Sequence, residues 1–301
     1  MLDLATVNTA ARNYYDRDEK ILVLRQSAIS AFQACRRNFY WEYVIGIEPD
    51  YQAAIRPWAT STTGTAVHLG VEYYYGKLGD PLQAIKEWAD ENYPGWEADD
   101  KASKGVRLAT TMMAGHIADV EADGVDIGET TLDVEHSVLA TVDVNGWAVT
   151  VTGQIDRIVE DRDGRLVIED TKTTDKIDST LKYIQQLGRY AVLLRIETGQ
   201  VADAVRSNQI KRVLRNGAGP FYSRPWVPFN DDAYTSHYDN LHATLADIVQ
   251  AYDQERWYER VSMDCSWRCR VQDVCIAQQH GDNHETIVEL YFRNKEGASH
   301  G

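Results

Sequence analysis

The chain of 301 residues can bury a large hydrophobic core, and at about 150 residues per domain it forms one large domain or two small ones. Hydrophobic residues make up 44% of the chain and charged residues 26%, both near the averages of globular proteins, so we expect a folded chain. The net charge of −15 excludes nucleic-acid binding through overall charge, so any such function has to rest on local features.

The sequence carries neither a membrane-spanning signal nor a secretory signal. There is no run of about 18 apolar residues that would cross a bilayer. The first residues also lack a basic stretch followed by an apolar one. We therefore expect a cytoplasmic protein without membrane association, in a reducing compartment that disfavours disulfides.

The hydrophobic periodicity predicts helices in the first half of the chain and strands in the middle. In chain order, we predict an N-terminal helix after Ser27, on which Ile29, Phe32, Phe39 and Tyr43 recur at helical spacing. Further helices are predicted over Thr65–Tyr75, Pro81–Glu91 and Ala102–Glu121, followed by three strands between Thr130 and Lys172, a helix over Ser179–Thr198, strands near Ala204–Leu214 and Phe221–Val227, and a helix over Asp232–Glu255. This order predicts an α/β fold with a mixed central sheet flanked by helices. We expect a single domain over 1–301, with a helical part at about 26–125, a sheet core at about 129–230 and a C-terminal helix and cysteine segment at about 232–293.

The segment 153–174, GQIDRIVEDRDGRLVIEDTKTT, predicts a hairpin that brings two carboxylates together. A three-residue loop with Gly164 at its last position would supply the positive φ that such loops need. In that register Asp156 lies opposite Asp170, about 5 Å away on the same face of the sheet.

The same register predicts a cation between these carboxylates. Because side chains alternate along a strand, Lys172 shares the face of Asp156 and Asp170, whereas Glu169 and Thr171 point to the other face. Like charges directly across a ladder are destabilising unless a cation lies between them, and Mg²⁺ or Mn²⁺ suits oxygen ligands. An error of one residue in the register would place Glu169 in the site instead of Asp170.

Two further motifs flank the hairpin. Upstream, Gly64-Thr65-Ala66-Val67-His68 forms a G-x-x-x-H motif on a predicted helix, and downstream Gln186 and Tyr190 form a Q-x-x-x-Y motif with both side chains on one helix face. Together with the hairpin, these motifs in this order resemble the PD-(D/E)XK nuclease superfamily, and in particular its RecB-like branch.

The resemblance spans residues from about Gln26 to Cys275 and implies a restriction-endonuclease-like core. It also implies that Lys172 orients the attacking water and stabilises the charge that develops on the phosphate. Gln186 and Tyr190 would position the DNA backbone. The metal ligands that it implies for Mg²⁺ or Mn²⁺ are His68, Asp156, Asp170 and the main-chain carbonyl of Thr171.

The chain has four cysteines, and three of them lie close together near its C-terminal end: Cys35, Cys265, Cys269 and Cys275. Free thiols do not account for this spacing, which favours a metal centre, and a tetrahedral zinc site remains an alternative. One distant cysteine followed by C-x3-C-x5-C resembles the iron–sulfur staple of RecB-type nucleases such as AddB. The resemblance implies a 4Fe-4S cluster that joins the N-terminal helix to the C-terminal segment.

A basic segment follows the predicted helix. Residues 206–226 contain no carboxylate, and Lys211, Arg212 and Arg215 lie on or after its strand. We predict that these three residues, with Lys182 and Arg189 on the helix that carries Gln186 and Tyr190, contact DNA phosphates. The alternative is an ordinary solvent-exposed strand and turn.

These observations predict a DNA nuclease that acts without a motor of its own, because the chain has no G-x-x-x-x-G-K-[ST] loop. The family resemblance favours an exonuclease that acts on single-stranded ends in recombination, repair or spacer processing. It leaves open duplex ends as substrate and a partner protein from recombination or CRISPR adaptation. The alternatives are a structure-specific endonuclease and a non-cleaving adaptor that binds DNA ends.

Overall fold

The computed structural model describes residues 13–50, 58–177, 184–215, 219–266 and 269–294. The chain divides into two compact units that alternate along the sequence. The terminal unit comprises Met1–Gln52, Leu139–Gly153 and Tyr238–Gly301, and the central unit comprises Ala53–Val138 and Gln154–His237. A single domain over 1–301 stays a prediction.

The described elements follow the predicted order of helices, strands and a further helix. They are β1 (Tyr14–Asp16), β2 (Ile21–Arg25), α1 (Gln26–Ala34), α2 (Arg36–Phe39), a π-helical turn (Tyr40–Ile45), β3 (Ile47–Pro49), α3 (Thr60–Gly76), α4 (Pro81–Asn92), α5 (Asp100–Asp123), β4 (Thr130–Val144), β5 (Trp147–Glu160), β6 (Leu166–Thr174), α6 (Ile184–Thr198), β7 (Ala204–Lys211), β8 (Tyr222–Ser223), β9 (Trp226–Pro228), α7 (Asp231–Gln254), a 3₁₀ turn (Met263–Ser266), α8 (Gln272–His280), α9 (His284–Tyr291) and β10 (Phe292–Asn294).

The sheet of the central unit is mixed, which confirms the predicted α/β class. Strands β5 and β6 form an antiparallel hairpin, β6 and β7 run parallel, and β7 also pairs antiparallel with β8 and β9. The parallel pair needs a crossover, and α6 provides it between β6 and β7. The predicted strand over Phe221–Val227 is divided into β8 and β9, because Arg224 and Pro225 interrupt the ladder between them.

Helices α3, α4 and α5 form the helical layer of the central unit. Asp80 accepts hydrogen bonds from the first turn of α4, and Asp99 does the same for α5, which fixes where both helices begin. Their apolar faces bury a cluster that includes Val67, Ile85 and Met112 together with Ile210 of β7. This packing holds α3 against the sheet and so determines where its side chains lie.

The terminal unit contains the first strands, the C-terminal helices and the turn end of the β4–β5 hairpin. Strand β2 pairs antiparallel with β1 and parallel with Ala148–Thr152 of β5. A separate apolar cluster joins the π-helical turn to α8 and β10 through Trp41, Val274 and Phe292. Among the described residues, no helix is both long and apolar enough to cross a membrane.

Candidate active site

The β5–β6 hairpin has the predicted register. Arg157 pairs with Glu169, so that Asp156 and Asp170 are the next residues in the same register. The loop is closed by the Asp161 N–H, which donates to the Arg165 carbonyl at 2.9 Å. Gly164 has a φ of 77°, in the left-handed region that favours glycine. The paired residues end at Arg157 and Glu169, so the placement of Asp156 opposite Asp170 agrees with this register and stays a prediction.

Charged side chains of three elements meet on one face of this hairpin. The Lys172 ammonium lies 2.6 Å from Oδ2 of Asp170, and Nδ1 of His68 lies 3.3 Å from Oδ2 of Asp156. The backbone N–H of Thr171 donates to the same Asp156 oxygen at 2.6 Å. The structure thus brings together the four predicted side chains on one face and holds Asp156 from two sides.

The glycine of the G-x-x-x-H motif has a steric role here. A Cβ on Gly64 would lie 3.2 Å from the Thr173 hydroxyl, so the absence of a side chain lets α3 approach the end of β6 closely. His68 is one turn further along α3, on the side that faces the hairpin. Close approach of helix and strand therefore explains how the motif delivers its imidazole to Asp156.

Glu135 is a further candidate site residue, which the sequence did not predict. It lies on β4, and its ligand oxygen, the His68 nitrogen and an Asp156 oxygen all lie within 4.8 Å of one another. Its φ of 51° is left-handed, which is costly for a non-glycine residue within a strand. No spacing in the sequence links Glu135 to the hairpin, because a pairing of β4 with β5 and a local backbone irregularity place it there.

Two acids of this site, Asp170 and Glu135, resist ionisation. Burial raises the pKa of Asp170 to about 6, and the neighbouring Asp156 adds to the shift against the opposing effect of Lys172. Burial and the charge of Asp156 raise the pKa of Glu135 to about 7. Burial lowers the pKa of His68, but the hydrogen bond to Asp156 and the charge of Asp156 together outweigh burial, so the net pKa is raised. Excess negative charge in a buried position favours a divalent cation.

Helix α6 presents its Q-x-x-x-Y motif to this face. Nε2 of Gln186 donates to the Tyr190 hydroxyl at 3.2 Å, and the charges of Asp170 and Lys172 both act on the pKa of Tyr190, which burial raises. The other two residues predicted to contact DNA phosphates from this helix are Arg189 and Lys182. Arg189 is only 3% exposed, so its guanidinium is not presented to a phosphate, and Lys182 lies outside the described residues.

The opposite face of β6 carries a buried ionic cluster. Glu169 is fully buried and lies 2.5 Å from Arg206 and 3.3 Å from Arg157. Arg224 adds a third guanidinium at 3.9 Å, and Glu129 pairs with both Arg157 and Arg206. Burial alone would raise the pKa of Glu169, but the guanidinium groups hold it well below its usual range. Glu169 is thus a structural ion, which agrees with the choice of Asp170 for the site.

The basic segment is mostly paired within the protein. The Arg212 guanidinium makes two hydrogen bonds to Asp175, and Arg215 lies 2.7 Å from Asp119. Both acids lie outside the segment. The lack of carboxylates within the segment therefore did not mean that its arginines are unpaired and available to bind DNA phosphates. Among the described residues, Lys211 makes no ion pair, and its position two residues after Gln209 on β7 places it on the face of Lys172.

The four cysteines all lie in the terminal unit as partly buried free thiols. Cys35 lies between α1 and α2, and the others lie in or near the 3₁₀ turn and α8: Cys265, Cys269 and Cys275. Burial raises the pKa of Cys269 to about 11, and the other three thiols add to this shift. Backbone N–H groups of Arg260 and Ser262 donate to the sulfurs of Cys35 and Cys265 at 3.3 and 3.5 Å.

Comparisons with known proteins identify a family. The family model of the PD-(D/E)XK nuclease superfamily matches residues 24–276. The solved structure of SSO0001 is 16% identical, covers 71% of this chain and 84% of its own, and has a TM-score of 0.32. A candidate exonuclease from Eubacterium rectale is 13% identical, covers 87% of this chain and 91% of its own, and has a TM-score of 0.49. No curated protein matches the chain. Both TM-scores are below 0.5, so the assignment rests on the family model.

Proposed function

The chain belongs to the PD-(D/E)XK nuclease superfamily, and from that premise we propose that it is a metal-dependent, RecB-like deoxyribonuclease that degrades DNA from single-stranded ends. The observation that carries the proposal is the meeting of Asp156, Asp170 and Lys172 on one sheet face with His68 and Glu135 beside them. A protein that only binds DNA has no need of these closely spaced, mutually repelling acids, of which Asp170 is buried.

The donor set fits Mg²⁺ or Mn²⁺. Carboxylate oxygens suit hard divalent cations, and the raised pKa values of Asp170 and Glu135 are those of acids that ionise readily once a cation is present. The proposed ligands are His68, Asp156, Asp170, the main-chain carbonyl of Thr171 and, in addition, Glu135. When bound, the metal supplies charge neutralisation at the scissile phosphate and lowers the pKa of a water molecule.

The remaining side chains bind and orient the substrate. Burial lowers the pKa of Lys172, but the charges of Asp170 and Asp156 together raise it by more than burial lowers it. The net pKa is therefore raised and Lys172 stays protonated. A protonated Lys172 orients the attacking water and stabilises negative charge on the phosphate. Gln186 and Tyr190, hydrogen-bonded to each other on α6, hold the DNA backbone at the entrance to the site.

We further propose that the four cysteines bind a 4Fe-4S cluster. Burial raises the pKa of Cys269 and of Cys275, and neighbouring thiols add to both shifts, so the deprotonated forms of these two thiols need a metal nearby. The preference for an iron–sulfur cluster over zinc rests on the spacing of one distant cysteine followed by C-x3-C-x5-C. Cytoplasmic reducing conditions would keep the thiols available.

The central experiment compares two DNA substrates. Protein purified without oxygen is incubated with end-labelled linear and closed circular single-stranded DNA, with and without Mn²⁺. We expect Mn²⁺-dependent loss of the linear DNA only. Cleavage of the circle would establish the endonuclease alternative, and retention of both DNAs with binding to ends would establish the adaptor alternative.

The cluster has its own test. We expect iron and acid-labile sulfide in the anaerobically purified protein, and loss of both in Cys275→Ser. Ser266→Ala, which changes a hydroxyl within the same cysteine segment, is the matched control and should retain the iron. Stoichiometric zinc without iron would contradict the cluster and leave the nuclease proposal standing.

A further inference from the structure

Asn208 is a fully buried polar residue in the middle of β7, on the face of the sheet opposite the proposed metal site. It pairs in register with Thr171 of the parallel strand β6. Residues paired in this way lie on the same face, so both side chains point away from Asp170 and Lys172. Its hydrogen-bond partners therefore determine how Asn208 affects β6, the strand that carries Asp170 and Lys172.

Hydrogen bonds fix the orientation of the Asn208 amide. Nε of Arg224 donates to Oδ1 of Asn208 at 3.2 Å. Because a guanidinium can only donate, the amide oxygen must face Arg224 and the NH₂ group must face the other way. There, Nδ2 lies 3.3 Å from Oγ1 of Thr171 and 3.4 Å from Nε2 of His116. Burial lowers the pKa of His116 to about 3, so its ring is neutral and accepts this hydrogen bond.

Arg224 is itself held by two acids, the half-buried Asp126 and the fully buried Glu169. Its Nη1 lies 2.5 Å from Asp126, and its Nε lies 3.9 Å from Glu169. Asn208 is thus attached on one side to the ionic cluster of the opposite face. On its other side it holds the Thr171 hydroxyl.

Thr171 connects this attachment to the site. Its backbone N–H donates to Oδ2 of Asp156 at 2.6 Å, and it lies between Asp170 and Lys172 in the chain. A rotation of the Thr171 peptide would move that N–H away from Asp156 and turn its carbonyl at the same time. The hydroxyl bond to Asn208 opposes such a rotation.

We propose that Asn208 is a positioning residue for metal binding, acting through the Thr171 side chain on the Thr171 peptide and the Asp156 carboxylate. The inference rests on the metal site of the proposed function. Residues that orient metal ligands in this way typically contribute about 10- to 100-fold to metal affinity. If Asn208 only satisfied buried polar groups, its loss would lower stability and leave metal affinity unchanged.

The test measures Mn²⁺ affinity without DNA, by isothermal titration calorimetry, for Thr171→Val, Asn208→Ala and the double variant. Thr171→Val keeps the shape and the backbone but removes the acceptor hydroxyl. We expect the Mn²⁺ dissociation constant to rise about 10-fold in each single variant, with little further change in the double variant because both residues act through one bond. Activity at saturating Mn²⁺ should recover.

Tyr75→Phe is the matched control. The Tyr75 hydroxyl lies 3.0 Å from Asp126 and contacts Arg224, so the variant weakens the same cluster without contacting Thr171. We expect a lower melting temperature with an unchanged Mn²⁺ dissociation constant. An unchanged constant in Thr171→Val would overturn the inference even if Asn208→Ala failed to fold. Fully additive effects in the double variant would also overturn it. Cleavage by the wild-type protein reports separately on the proposed function.

Discussion

Two adjacent carboxylates on β6 show how differently the two faces of this strand are built. Glu169 and Asp170 are 0% and 1% exposed, yet their pKa values move in opposite directions. Three guanidinium groups hold the pKa of Glu169 low, whereas burial and Asp156 raise that of Asp170 to about 6. On the face that carries Glu169, called the closed face below, the guanidinium groups balance the charge without any ligand. On the face that carries Asp170, called the open face, the charge is balanced only when a cation binds.

This difference separates stability from function. On the closed face, removing one charge leaves its partners buried and unpaired, which costs folding free energy. On the open face, removing an acid relieves repulsion, so that the cost falls on metal binding and catalysis. Substitutions on the two faces should therefore have opposite profiles.

The largest effect is expected on the closed face. Glu169→Gln should lower the free energy of unfolding by about 3–5 kcal/mol, because Arg157 and Arg206 would lose their buried counter-charge. Chemical denaturation measures this. Glu160→Gln, an exposed acid of the same hairpin, is the control and should change stability by less than about 0.5 kcal/mol. Equal stability of the two variants would mean that the ionic cluster contributes little.

The open face should give the opposite profile. Asp170→Asn should reduce Mn²⁺-dependent cleavage by about 100-fold or more, since a lost ligand removes several kcal/mol of charge stabilisation. The unfolding free energy of the metal-free protein should not fall to the same extent as in Glu169→Gln. A cleavage assay on end-labelled single-stranded DNA measures the first effect. An active Asp170→Asn variant would show that the acid of the motif is not a ligand.

The two faces should also differ in their dependence on pH. Raised pKa values at Asp170 and Glu135 stabilise the metal-free fold below about pH 4, and this contribution is lost as pH rises through about 6 to 7. Mn²⁺ binds the ionised acids, so its stabilising effect should grow over the same range. The increase in melting temperature on adding Mn²⁺ should be larger at about pH 8 than at about pH 5. An increase that is independent of pH would contradict the proposed ligands.

The sequence predicted those parts of the site that depend on short spacings. A loop with Gly164 fixed the hairpin register, and the alternation of side chains then assigned Asp170 and Glu169 to opposite faces. Glu135 could not be predicted in this way, because strand pairing over a long distance and a left-handed backbone place it in the site. For the same reason, the acids that pair with Arg212 and Arg215 were invisible to an analysis of the basic segment itself.

The smallest predicted effect concerns how the open face holds DNA. Lys211 lies on that face and has no ion-pair partner in the described part of the chain, whereas Arg212 and Arg215 are paired with Asp175 and Asp119. Lys211→Ala should therefore reduce the slope of log affinity against log salt concentration by about 0.7, the value for one phosphate contact on a single strand. Arg212→Ala and Arg215→Ala are matched controls on the same segment and should leave the slope nearly unchanged, because their charges are already neutralised. Fluorescence anisotropy with labelled single-stranded DNA, measured with Ca²⁺ in place of Mn²⁺ to prevent cleavage, gives all three slopes. Equal reductions in the three variants would show that the ion pairs of Arg212 and Arg215 open when DNA binds, and would restore the whole basic segment as a phosphate-binding surface.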